Sequence, residues 1–135
     1  MSWLVYALLS TLLYGIWGVF SKLAVNHIGS SSLFIYDCLV FFIGGLIALY
    51  VNGFKLEFNS TGVIYSLLYG VTGMIATFLF IVAVSKGKAS LVAGITAVYP
   101  CVTIILAMFF LKETITLKQF FGIVLSITGV ILIAL

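Results

Sequence analysis

A stretch of 21 residues without a charged side chain, Leu91–Leu111, constrains the fold of this chain more than any other feature. As a helix rising about 1.5 Å per residue, it spans about 30 Å, the thickness of the hydrocarbon core of a bilayer. Pro100, the one proline of the chain, lies near its middle. Because proline lacks a backbone N–H and clashes with the preceding turn, we expect a kink here that frees the carbonyl of Thr96. A bilayer tolerates such a break where neighbouring helices or a polar cavity satisfy the freed group.

The composition indicates an integral membrane protein. Hydrophobic residues make up 64% of the 135 residues and charged residues 7%, whereas a soluble domain carries roughly 25% charge. The mean hydropathy is +1.40. The net charge of +3 comes from six lysines and three acids without a basic run, which argues against nucleic acid as a partner. No nucleophile–base pair or set of metal ligands is apparent, so we expect neither an enzyme nor a metal or cofactor site.

Five apolar segments are predicted to cross the membrane as helices. Polar or glycine-containing turns separate them, and each segment is long enough to span the hydrocarbon core. The predicted segments are residues 3–25, 32–51, 61–84, 90–111 and 117–135. The predicted fold class is therefore all-α integral membrane, with residues 1–135 forming a single domain that leaves no room for a separate catalytic domain.

Hydroxyl side chains stand at the starts of three segments, where they can cap a helix. Ser30–Ser32 are the expected caps of the second segment, and Ser60 or Thr61 opens the third. At the fifth, Thr116 and Gln119 have the spacing of a capping box, in which each side chain accepts a hydrogen bond from the other's backbone N–H.

The lysines do not fix one orientation in the membrane. Five crossings place the termini on opposite sides, so successive loops alternate between the two faces, and the positive-inside rule needs a bias between them. Three lysines fall on each face: Lys55, Lys112 and Lys118 on one, and Lys22, Lys86 and Lys88 on the other. Two topologies stay open. The N-terminus lies inside with a small bias, or the chain has dual topology, and oppositely inserted copies pair antiparallel.

Polar and aromatic side chains recur on single faces of three segments, as candidate substrate contacts. Segment 1 carries Tyr14 and Trp17 at mid-depth beside Gly15 and Gly18, whose small size permits close backbone approach. The faces of segments 3 and 4 contribute Tyr69, Thr96, Tyr99 and Thr103. Aromatic rings, hydroxyls and freed carbonyls suit an amphipathic or cationic organic solute. Ordinary helix–helix packing is the alternative for each face.

Asp37 is the one acid placed well inside an apolar segment, and Lys22 is its expected partner. Both residues stand at similar distances from the turn near Gly29, so in an antiparallel hairpin they lie at equal depth, about 10 Å below the surface. A structural ion pair is one interpretation. The other makes Asp37, with Lys22, a proton- or cation-coupling group whose protonation competes with the substrate.

Two further features have simple interpretations. His27 follows segment 1 without a second ligand at metal spacing, so it is expected to be a loop residue. Gly122, Ser126 and Gly129 form a face of small residues on segment 5. Such a face serves either as a dimer interface or as an internal packing surface.

The order of these motifs resembles the EamA-type family of the drug/metabolite transporter superfamily. Trp17-Gly18 followed by Lys22 is similar to the family's first helix, and Pro100 after small residues is similar to its fourth. The corner and segment 5 resemble the pattern E-x-[IL]-[TS]-x-x-Q-x-x-G, with the residues Glu113, Ile115, Thr116, Gln119 and Gly122. The resemblance covers the whole chain as five helices. One position departs from it, because Asp37 stands where members often have arginine.

The resemblance implies one five-helix repeat of a carrier whose members usually contain two repeats of inverted topology. It implies a small organic metabolite or drug-like solute as substrate, alternating access as mechanism, and bending at Gly15, Gly18 and Pro100. An antiparallel homodimer embedded in membrane lipid would restore the inverted pair.

Other assemblies and roles stay open beside that implication. The chain is alternatively half of a heterodimer, an isolated half of a longer protein, or a non-transporting accessory or scaffold subunit. The expected location is the inner or plasma membrane of a prokaryotic cell, as a multi-pass protein.

Overall fold

The computed structural model describes residues 3–134, and over that range the chain is helical with short connections and no strand. Its elements, in chain order, are the helices and one π-helical turn: α1 (Trp3–Val25), α2 (Ser30–Val51), α3 (Ser60–Lys86), α4 (Ala89–Thr96), α5 (Tyr99–Leu106), the π-helical turn (Ala107–Leu111) and α6 (Leu117–Ala134). The predicted all-α membrane fold class is confirmed.

Four stretches of these helices are long and apolar enough to cross a membrane. They are α1, α2, α3 and the combined stretch Ala89–Leu111 that contains α4, α5 and the π-helical turn. The apolar part of α6, Leu117–Ile133, is shorter. In a bilayer core no water is present to bond exposed backbone groups, so helices, which satisfy their own N–H and C=O groups, are the structure that such apolar sequences adopt.

Two compact units divide the chain, α1–α3 and α4–α6. In the first unit α3 packs against both α1 and α2. Ile81 and Val84 on α3 are the residues it buries fully, at 1% and 0% exposure. Aromatic contacts join the helices: Trp17 stacks on Phe80 with ring centroids 4.9 Å apart, and Phe34 meets Phe78 edge-on at 5.2 Å. The division leaves the predicted single-domain organisation a prediction.

In the second unit the helix is interrupted next to Pro100. Helix α4 ends at Thr96, and α5 begins at Tyr99, so that Pro100 occupies the first turn of a new helix. The first N–H groups of a helix have no intrahelical acceptor, so a proline costs no hydrogen bond there. The kink expected from the sequence is therefore a two-residue break.

Helix α4 approaches α6 closely at a glycine. A Cβ built on Gly94 would lie 2.7 Å from Cγ2 of Ile133, closer than the 3.5–4.0 Å at which carbon atoms attract each other.

Beyond α5, the π-helical turn ends at Lys112, whose φ of 56° is left-handed. The backbone N–H of Glu113 then bonds the carbonyl of Ala107 at 3.3 Å.

The predictions agree with the structure at α6, where the capping box forms, and at α3, which opens at Ser60, but they differ at α2. At α6 the backbone N–H of Thr116 donates to Oε1 of Gln119 at 2.7 Å, and the N–H of Gln119 donates to Oγ1 of Thr116 at 3.3 Å, which is a capping box. The N-cap of α2 is Gly29, with no side-chain hydrogen bond. At α3 the capping acceptor is Asn59, whose Oδ1 receives the N–H of Gly62 at 3.0 Å. The serines begin these helices instead of capping them, because a residue with helical φ and ψ cannot occupy the N-cap.

Candidate functional site

A cavity of about 490 Å³ opens within the first unit, between α1, α2 and α3. Its walls are mainly apolar, with a small number of polar side chains. The lining residues are Trp17, Phe20, Ser21, Leu23, Ala24, His27, Leu33, Tyr36, Asp37, Val40 and Ile81. Volume and lining match those of small-molecule sites, which are usually apolar clefts of about 300–1,000 Å³ with a small number of polar groups.

The cavity extends from the α1–α2 connection into the helical layer. His27 belongs to that connection, just beyond the end of α1 at Val25. Asp37 lies seven residues into α2, about 10 Å along its axis, and Trp17 lies eight residues before the end of α1, about 12 Å along it. The cavity therefore extends from the α1–α2 connection to a carboxylate and an indole within the apolar helices α1 and α2.

Asp37 supplies the formal charge of the cavity. It is half-buried, and the ammonium of Lys22 donates to the backbone carbonyl of Val84. Ser21, another lining residue, is buried at 5% exposure and donates its hydroxyl to the carbonyl of Gly18 at 2.8 Å. The hydroxyl of Ser21 therefore donates within α1.

Lys22, the expected partner of Asp37, is directed elsewhere. Its ammonium donates to the backbone carbonyl of Val84 at 2.9 Å, across the contact between α1 and α3. Val84 lies in the last turn of α3, where carbonyls have no intrahelical donor and attract a cation. The equal depth of Lys22 and Asp37 in the predicted hairpin was therefore not sufficient to predict which atom the ammonium of Lys22 contacts. The coupling roles of Asp37 and Lys22 stay predictions.

Trp17 is the predicted substrate contact that lines this cavity. Its stacking on Phe80 fixes the plane of the indole. Tyr14 and Tyr69 are not among the lining residues, and their side chains are exposed at 65% and 82%. Within the described structure a Cβ on Gly15, or one on Gly18, would meet no atom within 4 Å, so the expected close approach is not present there.

The candidates of the second unit lie around the helix break. Thr96 donates its hydroxyl to the carbonyls of Val92 and Ala93, and Thr103 donates to that of Tyr99 at 3.3 Å. Thr103 also lines a smaller cavity of about 280 Å³ beside the π-helical turn. Pro100 and Tyr99 are exposed. Their substrate and hinge roles stay predictions.

The face of small residues on α6 is open in this structure. Gly122 and Gly129 would each meet nothing within 4 Å of an added Cβ among the described atoms. Ser126 donates its hydroxyl to the carbonyl of Gly122 at 2.9 Å. The face could accept a neighbouring helix, and its role as a dimer interface stays a prediction.

Sequence reasoning did not predict Phe20, His27 and Tyr36, which supply three of the rings in the lining, as contacts of a ligand. A signal for Phe20 was available, because it follows Trp17 by three residues and therefore lies on the same side of α1. The polar face predicted on α1 included Trp17, which lines the cavity, and Tyr14, which does not. His27 was set aside because it lacks a metal partner; within residues 3–134 no group of three or more potential metal ligands occurs.

Comparison with known proteins supports a membrane role for the chain. The sequence profile described as the EamA-like transporter family matches residues 1–135, the whole chain. An uncharacterised protein of Methanocaldococcus jannaschii is 42% identical over 71 residues, which cover 53% of this chain and 52% of that relative. The match thus spans about half the length of the relative. No solved structure matches the chain.

Proposed function

This chain belongs to the EamA-like transporter family, and we propose that it is a subunit of a secondary transporter for a small organic solute. Members of that family are transporter-type, multi-pass membrane proteins. The observation that supports a solute site in this chain is the α1–α2–α3 cavity, which places a carboxylate and aromatic rings in a membrane layer. A polar group in that layer is costly, and such groups commonly mark the path of a solute.

In this proposal Asp37 is the coupling residue and Trp17 the first substrate contact. A proton or cation and the solute would compete for the carboxylate, which links the movement of one to the movement of the other. Lys22 would have a positioning role, because the hydrogen bond from its ammonium to the carbonyl of Val84 links α1 to α3. Alternating access would use the break at Pro100 as a flexible point.

The proposed assembly is an antiparallel homodimer in a prokaryotic cell membrane. An odd number of crossings and a balanced distribution of lysines are compatible with insertion in both orientations. Two oppositely inserted copies would form an inverted pair, as the two repeats of larger transporters do. The open face at Gly122, Ser126 and Gly129 offers a surface for close helix contact.

An unbiased uptake experiment tests the proposed transport. Proteoliposomes with wild-type protein are incubated with a small-molecule cell extract, and their contents are identified by mass spectrometry. Empty liposomes and proteoliposomes with Asp37→Asn are run in parallel. We expect a restricted set of organic solutes to accumulate with the wild type and to fall with Asp37→Asn. If no solute exceeded its level in empty liposomes, the chain would be a non-transporting accessory or scaffold subunit.

The orientation has its own test. In a variant without Cys38 and Cys101, single cysteines are placed at Leu4 and at Ile133 and labelled from outside intact cells with an impermeant maleimide. Partial labelling at both positions is expected for dual topology. Labelling at one position alone would exclude the antiparallel homodimer and would require a partner chain of opposite orientation.

A further inference from the structure

We propose that the α1–α2–α3 cavity binds a lipophilic organic monocation, with Asp37 as counter-ion and Trp17, Phe20 and Tyr36 as aromatic walls. This inference rests on the proposed function and names the chemical class of its solute. It combines three properties of the same cavity: the sign of its charge, the chemistry of its walls and its size.

The charge of the cavity favours a cation. Asp37 is the one residue among its described lining that has a formal charge at pH 7. The lysine nearest in depth, Lys22, gives its ammonium to the carbonyl of Val84 and is not part of the lining. A carboxylate in a mainly apolar environment attracts a positive ligand far more strongly than it would in water, and it repels an anion.

The walls favour an organic cation over a hydrated metal ion. Trp17, Phe20 and Tyr36 bring three aromatic rings from two helices to the same cavity as the carboxylate. The face of an aromatic ring attracts a cation, most strongly for indole. Stacking on Phe80 holds the indole of Trp17 in place before a ligand arrives. The apolar side chains of Leu33 and Val40 would contact the rest of the ligand.

The volume limits the ligand to the size of one drug-like molecule. About 490 Å³ accommodates a compact body with several rings. One carboxylate balances one positive charge. A polycation would leave charges unbalanced in the membrane, which is costly. A single delocalised or quaternary cation is therefore the ligand that fits.

Tetraphenylphosphonium is the probe that tests this inference, because it is a lipophilic monocation. Its binding to the full chain in nanodiscs of zwitterionic lipid is measured at equilibrium, with empty nanodiscs subtracted. Asp37→Asn is expected to weaken binding by about ten-fold or more. Glu57→Gln removes an exposed loop carboxylate outside the cavity and is expected to bind as the wild type does. Asp37→Glu restores the charge and is expected to bind within a few-fold of the wild type.

The aromatic walls are tested with a pair of matched substitutions. Phe20 lines the cavity and is 64% exposed, whereas Phe42 has nearly the same exposure, 65%, and lies outside the lining. Phe20→Leu is expected to weaken binding of tetraphenylphosphonium by about two- to five-fold, as loss of one cation–π contact does. Phe42→Leu is expected to have no effect. Equal behaviour of the two variants would remove the aromatic part of the inference.

Tetraphenylborate, an anion of nearly the same shape, separates charge recognition from lipophilic partition. Its protein-dependent binding should not fall with Asp37→Asn. If Asp37→Asn bound the phosphonium as tightly as the wild type, the cation inference would be wrong. The proposal that the chain transports a solute would still hold after that result if neutral or anionic solutes accumulated in the extract experiment. The two failures are therefore distinguishable.

Discussion

The substitution Gly94→Ala tests the packing of α4 on α6, where the two helices approach each other closely at a glycine. The added methyl group would lie 2.7 Å from Cγ2 of Ile133. Carbon atoms in favourable contact are about 3.5–4.0 Å apart, so Ile133 or α6 must move by about 1 Å. Cγ2 is attached directly to the branched Cβ of Ile133 and cannot turn away without moving the other branches. The strain therefore has no inexpensive release.

Two opposing terms set the size of the effect. Forcing an extra methyl group into a filled contact costs about 1–3 kcal/mol. Replacing glycine by alanine within a helix stabilises it by about 1 kcal/mol. The gain in helix stability on replacing glycine by alanine is expected at any glycine inside a helix. A second Gly→Ala variant in a helix therefore cancels this gain in the comparison. Gly73 on α3 would meet nothing within 4 Å of an added Cβ. We expect Gly94→Ala to be about 1–3 kcal/mol less stable than Gly73→Ala.

Unfolding of the purified protein in mixed micelles, followed by far-ultraviolet circular dichroism against the fraction of sodium dodecyl sulfate, measures this difference. Ile133→Ala removes Cγ2, so the double variant with Gly94→Ala should recover part of the loss. A double-mutant cycle then reports a favourable interaction between the two changes. If Gly94→Ala were as stable as Gly73→Ala and showed no coupling to Ile133, the close approach of α4 and α6 would be refuted.

Three further substitutions test contacts by the same unfolding measurement. Lys22→Met should lower the free energy of unfolding by about 1.5–3 kcal/mol, because the buried carbonyl of Val84 loses a charged donor. Trp17→Leu removes the ring stacked on Phe80 and should cost about 0.5–1.5 kcal/mol beyond the lost apolar area. Thr116→Ala removes the acceptor of the capping box and should cost about 0.5–2 kcal/mol.

Each of these substitutions has a control on an exposed residue of the same type. Lys55→Met changes a loop lysine, Trp3→Leu changes an indole that is 78% exposed, and Thr114→Ala changes a threonine just before the capping box. We expect effects within about 0.5 kcal/mol for the controls. A loss in a control that equals the loss in its partner would show that the named contact does not stabilise the fold.

Much of the helical layout could be predicted from local sequence. Apolar runs with at most one charged residue each, separated by polar or glycine-containing turns, place the ends of the predicted segments within two residues of those observed. Pro100 indicated where the fourth apolar stretch would be disturbed. The π-helical turn and the left-handed Lys112 that follow it have no comparable local signal, since they depend on how the end of α5 meets the corner.

The candidate site could be predicted in part. The rotation of each helix about its own axis, which decides the residues that face the cavity, could not be predicted from the sequence. Trp17 was predicted as a substrate contact and Asp37 as a coupling residue, and both line the cavity. Which face of α1 meets α2 and α3 depends on packing between distant segments, so Tyr36 was missed, and Tyr14 was predicted beside Trp17 but lies outside the lining. The acceptor of Lys22 is a backbone carbonyl 62 residues away, and no side-chain pattern reveals such a partner.

Blocking the cavity while measuring uptake tests the central claim most directly. In the variant without Cys38 and Cys101, a single cysteine replaces Leu33, which lines the cavity, or Leu56, which is 81% exposed in the α2–α3 connection. Both proteins are reacted with a bulky maleimide and reconstituted with the small-molecule extract. The account predicts that uptake is lost with the label at residue 33 and kept with the label at residue 56. Equal uptake by the two fully labelled proteins would contradict the account.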